Sequence, residues 1–419
     1  MCIYPLSLYR LIIIRVTEGE GRGHPGQVTS LSQGLHIETN NHTNIHTYGH
    51  ANSMQKDPGK VGMQTGDLLA ARGQSLFRHL VSSCFVFIHV YSLQDGTKPQ
   101  YEVRNWLLHI LFLFSAGLGH EIFYITCLPC IHWSLDPFLC RRLVNMWGLV
   151  MYIGQVMKDL LKLPRPVSPP VVKLETRVDA EYGLPSTHAM AATSISFTLL
   201  FSAPSRLQFQ FEVGLLIAVT LSSLVCLSRL YTGMHSVLDV ICGVVISAVI
   251  LLLTYPCWET LDHLQLHTRI SPIAVPALLL FLCYKYPDLD HYSTTRGDTT
   301  TILGACAGSS VGYWVNEQLG ETFEPQGTLP VPLPTLTANA LALCTGRFLV
   351  GVVALVGTRQ IVKTTSLHVL YSWYRVPKND HNARRRKEIE VPYKFTTYTA
   401  VGLVHSILTN RIFVLLGLL

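Results

Sequence analysis

From residue 101 onward, apolar runs of about 20 residues recur, separated by shorter polar stretches. A helix needs about 20 apolar residues to cross a hydrocarbon core. The pattern therefore predicts spans near 106–128, 139–157, 188–204, 211–228, 235–256, 271–287, 301–319, 335–358 and 396–417. The last run carries Asn410 and Arg411. Within 301–319, Gly304, Ala305, Ala307, Gly308, Ser309, Ser310 and Gly312 form a small-residue stripe that suits close helix approach. Trp133, Trp258, Tyr286 and Trp373 stand near run ends, where interfacial aromatic belts are expected. The predicted fold is an all-α polytopic membrane helix bundle of about nine (8–10) transmembrane helices.

Residues 1–100 have another character. Met1 to Val16 is apolar, shorter than a span, and interrupted by Arg10 and Arg15, with no clear cleavage site after it. Residues 17–75 are rich in Gly, Ser, Thr, Asn and His, a composition that predicts disorder. His36, His42, His46 and His50 lack regular metal-ligand spacing, and Asn41-His42-Thr43 is a glycosylation sequon if lumenal. Residues 76–93 are apolar enough to cross or to lie in the interface. The chain thus divides into a divergent region 1–100, a core 101–260 and a C-terminal bundle 261–419 with a basic loop at 359–394.

Composition sharpens this picture. Of 419 residues, 49% are hydrophobic and 14% charged, against about 25% charged in soluble domains. Mean hydropathy is +0.32. The net charge of +6 arises partly at span ends and gives no nucleic-acid-binding surface. Eleven cysteines are scattered, many inside apolar runs, and the one CxxC (Cys127, Cys130) has no partner pair.

Chemistry concentrates at three span boundaries. Lys158 and Arg165-Pro166 follow the second span, Pro185-Ser186-Thr187-His188 opens the third, and Ser228-Arg229 to His235 and Asp239 joins the fourth to the fifth. Two spans separate the second and third segments, so all three emerge on one face. Arg offers a planar fork to phosphate oxygens and Lys a point charge. Ser186 and Thr187 open a helix, whose free N–H groups favour an anion. His235 and Asp239 are four residues apart and share a helix face, where the carboxylate can fix the imidazole tautomer. Span-end anchoring or helix capping would explain any one of these residues. Together they describe a phosphate-ester site, with cations doing the work of a metal and no metal or other cofactor required.

These segments resemble the signature of the type 2 phosphatidic acid phosphatase superfamily, K-x6-RP, PSGH and SR-x5-H-x3-D. Thr187 stands where that pattern has Gly. Longer stretches, among them AEYGLPSTHAMAAT, STTRGDTTTILG and EIEVPYKFTTYT, look like its sphingosine-1-phosphate phosphatase branch, over about residues 100–410. The resemblance implies a phosphatidic-acid-phosphatase-like core and metal-independent hydrolysis of sphingoid base 1-phosphates in the endoplasmic reticulum membrane. Its partners would be a phosphorylated sphingoid lipid and membrane lipid. It implies His235 as nucleophile, Asp239 orienting it, and His188 protonating the leaving alkoxide. Lys158, Arg165, Ser186, Thr187 and Arg229 would bind phosphate. A broader lipid phosphate phosphatase shares all these residues, and a non-hydrolytic phospholipid transporter or receptor would need no nucleophile. Nine spans put the basic loop on the site's face, which the excess of Arg and Lys would make cytosolic, whereas the resemblance implies a lumenal site.

Overall fold

The computed structural model of the chain describes residues 105–419 except 120, 168–170, 172, 176–180, 326, 336, 378–379 and 381. Of the first 104 residues it describes Ile14–Arg15, which pairs with Ile88–His89 and with Glu102–Val103. The histidine cluster, the sequon and the apolar run 76–93 otherwise lie outside the described residues.

From Asn105 the chain is helical. The elements are α1 (Trp106–Leu118), α2 (Glu121–Ser134), α3 (Pro137–Leu161), α4 (Thr187–Ser202), α5 (Phe211–Tyr231) and α6 (Val237–Thr254). There follow α7 (Trp258–His267), α8 (Ser271–Tyr284), α9 (Thr295–Leu319), α10 (Ala338–Trp373), α11 (Lys387–Leu403) and α12 (Thr409–Leu415). A π-helical turn, Val404–Leu408, joins the last two. Leu207–Gln208 pairs with Val331–Pro332 in a short parallel bridge.

Among the described residues, four continuous helical stretches are long and apolar enough to cross a membrane: Phe211–Tyr231, Val237–His267, Ala338–Trp373 and Lys387–Leu415. α1 and α8 are apolar but shorter. The protein is therefore a multi-pass helical membrane protein. The expected run 106–128 is broken after Leu118 into α1 and α2. α3, α4 and α9 are short or polar for spans, and the polar groups they bury explain why. α3 is 25 residues long, about 37 Å, and it connects two polar ends. At its start Asp136 caps the helix and binds Arg206 at 2.6 Å, while Arg141 and Arg142 share Asp262. At its other end are Lys158 and Asp159, both buried.

α4 lies against α3, α5 and α6 and is buried over most of its length. Gly154 lets α3 approach it, since a Cβ there would stand 2.8 Å from Met190 Sδ and 3.0 Å from Thr187 Cγ2. The small-residue stripe packs α9 on α11: a Cβ at Gly304 would sit 2.9 Å from Phe395 O, and one at Gly308 would overlap the Thr399 carbonyl. By contrast, Trp133, Trp258 and Tyr286 are buried within the protein and do not form a belt. Each indole or phenol is held inside, Trp133 by the His405 carbonyl, Trp258 by Thr254 and Tyr286 by Asp159. Trp373 alone of the four is exposed.

The expected basic loop 359–394 is mostly helix. α10 runs to Trp373, and α11 resumes at Lys387. Helical geometry satisfies the backbone there, which a loop at membrane depth could not do. The turn between them meets the end of the bundle where α3 finishes. Arg296 in the first turn of α9 donates to Arg385 O at 2.9 Å, Thr294 beside it donates to Glu181, and Lys387 binds Asp288.

The α9–α11 contact gives a stability prediction. Gly308→Leu should cost about 1–3 kcal/mol or more through overpacking, read as a lower melting temperature of the detergent-solubilised protein. A melting temperature equal to that of the parent chain would refute this packing.

Candidate active site

Each signature residue sits where a helix begins or ends. α3 closes with Lys162 in the left-handed region (φ 52°), which turns the chain into the Pro164-Arg165-Pro166 segment. After this turn Pro164 and Pro166 have no N–H to extend the helical ladder, and the chain leaves as a loop and returns at Ser186, the N-cap of α4. Ser186 N donates to the Asp239 carbonyl at 3.0 Å, tying the start of α4 to the start of α6. Gly243 permits that approach, because a Cβ there would meet Ser186 O at 2.8 Å. α5 ends at Tyr231, and Gly233 at φ 68° reverses the chain into Met234-His235-Ser236. Ser236 and Asp239 then form a capping box at the start of α6.

The side chains converge. Lys158 Nζ donates to Thr187 Oγ1 at 3.1 Å, so the threonine that replaces glycine supplies a hydroxyl to the site. Arg165 Nη1 donates to the Met234 carbonyl at 3.1 Å and lies 3.4 Å from His235 Nε2. The other imidazole nitrogen, Nδ1, is 3.6 Å from Asp239 Oδ2. That is just beyond hydrogen-bond length, and Oδ2 instead accepts from Ser236 N at 2.7 Å. His235 is thus held between a carboxylate and a guanidinium, with its Nε2 side toward the cation. Burial pushes its pKa down to about 4, the charges of Arg165 and Lys158 add to this, and Asp239 offsets it only in part. The ring is neutral at pH 7. His188 occupies the first turn of α4, its ring against Gly119, where a Cβ would stand 2.9 Å from His188 Cδ2.

Two acidic residues that the sequence reading gave no role complete the cluster. Glu181 Oε2 lies 3.5 Å from Lys158 Nζ and 3.3 Å from Arg165 Nη2, while its Oε1 accepts from Thr294 at 2.9 Å. Glu175 takes both terminal nitrogens of Arg229, at 3.4 and 3.2 Å. Burial alone would push the Glu181 carboxyl up, but Lys158 and Arg165 outweigh it and hold it below the usual carboxylate range. Burial also lowers Arg165, against the opposing pull of Glu181. The three cations thus meet two carboxylates, Glu181 shared by Lys158 and Arg165 and Glu175 on Arg229. The only sequence signal was position: both acids lie on the loop between the first two signature segments.

Behind Lys158, Asp159 Oδ2 accepts from Tyr286 at 2.7 Å and Thr295 at 2.6 Å. The C-terminal bundle thereby braces the helix end that carries the lysine. Among the described residues, one set could hold a metal ion: His132, Cys140 and His405, with ligand atoms within 4.8 Å of one another. It lies elsewhere, since Cys140 is 18 positions before Lys158 on α3, about 27 Å along the axis. Two of its members are engaged with protein, His132 with Tyr313 and Asn410, and Cys140 with the Leu128 carbonyl.

Comparison with known proteins identifies the family. Residues 140–262 match the PAP2 superfamily. The chain is 54% identical over 326 residues to sphingosine-1-phosphate phosphatase 2 of Homo sapiens, covering 77% of this chain and 82% of that protein. It is 51% identical to sphingosine-1-phosphate phosphatase 2 of Mus musculus (79% and 94% covered). Against sphingosine-1-phosphate phosphatase 1 of Rattus norvegicus it is 40% identical (76% and 74% covered). Among solved structures the chain has no match. With most of its length aligned at such identity, and the signature residues gathered at one end of a helical bundle, the chain belongs to the sphingosine-1-phosphate phosphatase family of the PAP2 superfamily.

Proposed function

We propose that the chain hydrolyses sphingoid base 1-phosphates to the free base and phosphate, with His235 as the attacking group. As a member of its family it is a phosphoric monoester hydrolase, and relatives are named for sphingosine-1-phosphate and dihydrosphingosine 1-phosphate. The observation that carries the mechanism is the placement of His235 Nε2 at 3.4 Å from Arg165 with Nδ1 turned to Asp239.

In this reading the phosphate displaces the carboxylates from Lys158, Arg165 and Arg229 and takes the hydroxyls of Ser186 and Thr187 and the N-terminus of α4. The cations stabilise charge on the equatorial oxygens without a metal. Nε2 attacks phosphorus, the P–O bond to the sphingoid C1 oxygen breaks, and His188 gives that oxygen its proton. Asp239 stabilises the imidazolium character that develops as the P–N bond forms. Water, deprotonated by His188, then cleaves the P–N bond and restores His235.

The same reading assigns nine crossings. α1 with α2, α6 with α7, and α11 with α12 each make one, and α3, α4, α5, α8, α9 and α10 make the rest. It also places the protein in the endoplasmic reticulum membrane with the site toward the lumen. The basic turn shares that end, but its charges are largely engaged: Arg385 lies over Tyr292, Arg384 over Tyr393 and Lys387 on Asp288. Such pairing weakens them as topology signals.

His235→Ala should reduce phosphate release from sphingosine-1-phosphate by about a thousandfold or more while the protein inserts normally; release near the parent rate would sink the mechanism. Chelation with EDTA should leave the rate unchanged, and a strong loss would show that cations alone do not suffice. In sealed microsomes, a tag placed at residues 378–381 should resist added protease. Cleavage there would put the site on the cytosolic side.

A further inference from the structure

The conventional signature accounts for the phosphate but leaves one group of the substrate without a partner. A sphingoid base phosphate carries an ammonium two carbons from its phosphate ester oxygen. It is therefore a zwitterion, unlike phosphatidate or an N-acylated sphingoid phosphate. A seat made only of cations would repel that ammonium. The seat here is not made only of cations. Glu181 stands one ion pair away from both Lys158 and Arg165, at 3.5 and 3.3 Å, with its side chain only 11% exposed. Its second oxygen is anchored by Thr294 at 2.9 Å, on a segment outside the signature.

We infer that Glu181 is the specificity-determining residue that receives the substrate's 2-ammonium. The inference rests on the reading that Lys158 and Arg165 hold the phosphate. Before substrate arrives, Glu181 pairs with both cations and offsets one of their two charges. On binding, the ion pairs exchange: phosphate oxygens take Lys158 and Arg165, and the carboxylate, kept in place by Thr294, takes the ammonium. Lys158, Arg165 and Glu181 each face an opposite charge at both stages, which is the condition for charge to be held in so dry a place. The adjacency in the protein mirrors that in the lipid, since a group that touches the phosphate-binding cations is one contact from the phosphate, as the ammonium is. A phosphate lacking the ammonium must displace Glu181 from its cations and offer it nothing in return. The same carboxylate thus favours one substrate class and penalises the other. Glu175 is less suited to this task. Its ion pair is with Arg229, and its side chain is 23% exposed.

The test uses the full-length protein in mixed micelles and two substrates that differ only at nitrogen, sphingosine-1-phosphate and N-acetylsphingosine-1-phosphate. The readout is the ratio of their kcat/KM values. The parent chain should favour the free amine, and Glu181→Gln should lower the ratio by about tenfold or more, while Glu181→Asp, which keeps the charge, should retain most of it. Vanadate, an anion without an ammonium, should inhibit Glu181→Gln at least as tightly as the parent. A parent ratio near one overturns the assignment without any variant. A parallel fall on both substrates in Glu181→Gln, leaving the ratio intact, overturns it as well and assigns Glu181 a merely structural role. Failure of the underlying mechanism would look different: His235→Ala would keep its activity on both substrates.

Discussion

Gathering like charges in a place with little water is the constraint on which the rest of this structure depends. Lys158 and Arg229 are almost completely buried, and Arg165 reaches the same end of the bundle. Unpaired, such cations would carry a large desolvation cost. The loop between α3 and α4 meets that constraint by carrying Glu175 and Glu181 back over the helix ends. Its two ends follow from simple features: the left-handed turn at Lys162 before Pro164 and Pro166, and the serine cap that restarts the helix. Chemistry and folding therefore use the same ion pairs, and what a phosphate needs for binding is what the empty protein must neutralise.

Much of this was legible in the sequence because it is local. Helix existence follows from apolar runs, and the three signature segments advertise themselves by placing Lys, Arg, His and Asp at run ends. The small-residue stripe of α9 was likewise readable, since glycine at the spacing of one helix face has few other uses. Three features escaped. The break after Leu118 and the long α10 depend on packing partners that composition does not name. Trp133, Trp258 and Tyr286 looked like interfacial anchors, but a bundle with polar groups in its interior has internal acceptors for them, such as Asp159. The acids of the loop were invisible because a lone glutamate in a polar stretch is ordinary until a fold brings two cations to it.

The interior is also more polar than hydropathy implies. Asp159, Glu390, His132, His405, Asn316 and Asn410 are all buried. These groups sit on α2, α3, α9, α11 and the stretch after α11. In a medium with no water to solvate them, polar contacts between helices specify register where apolar surfaces, equally content with lipid, do not. Arg296 on Glu390 fixes α9 against α11 in this way, and Asn316 on the Ser406 carbonyl fixes it against the π-helical turn that follows.

Thr294, Thr295 and Tyr286 come from sequence well beyond the last signature residue, yet they hold Glu181 and Asp159. The family signature is thus a contiguous description of an object that is not contiguous. A shortened chain ending soon after α6 would contain every signature residue and still lack the hydroxyls that hold the acids on either side of Lys158. Heritable or engineered changes near residues 286–295 belong, in physical terms, to the catalytic end of the molecule, although nothing in the motif would mark them.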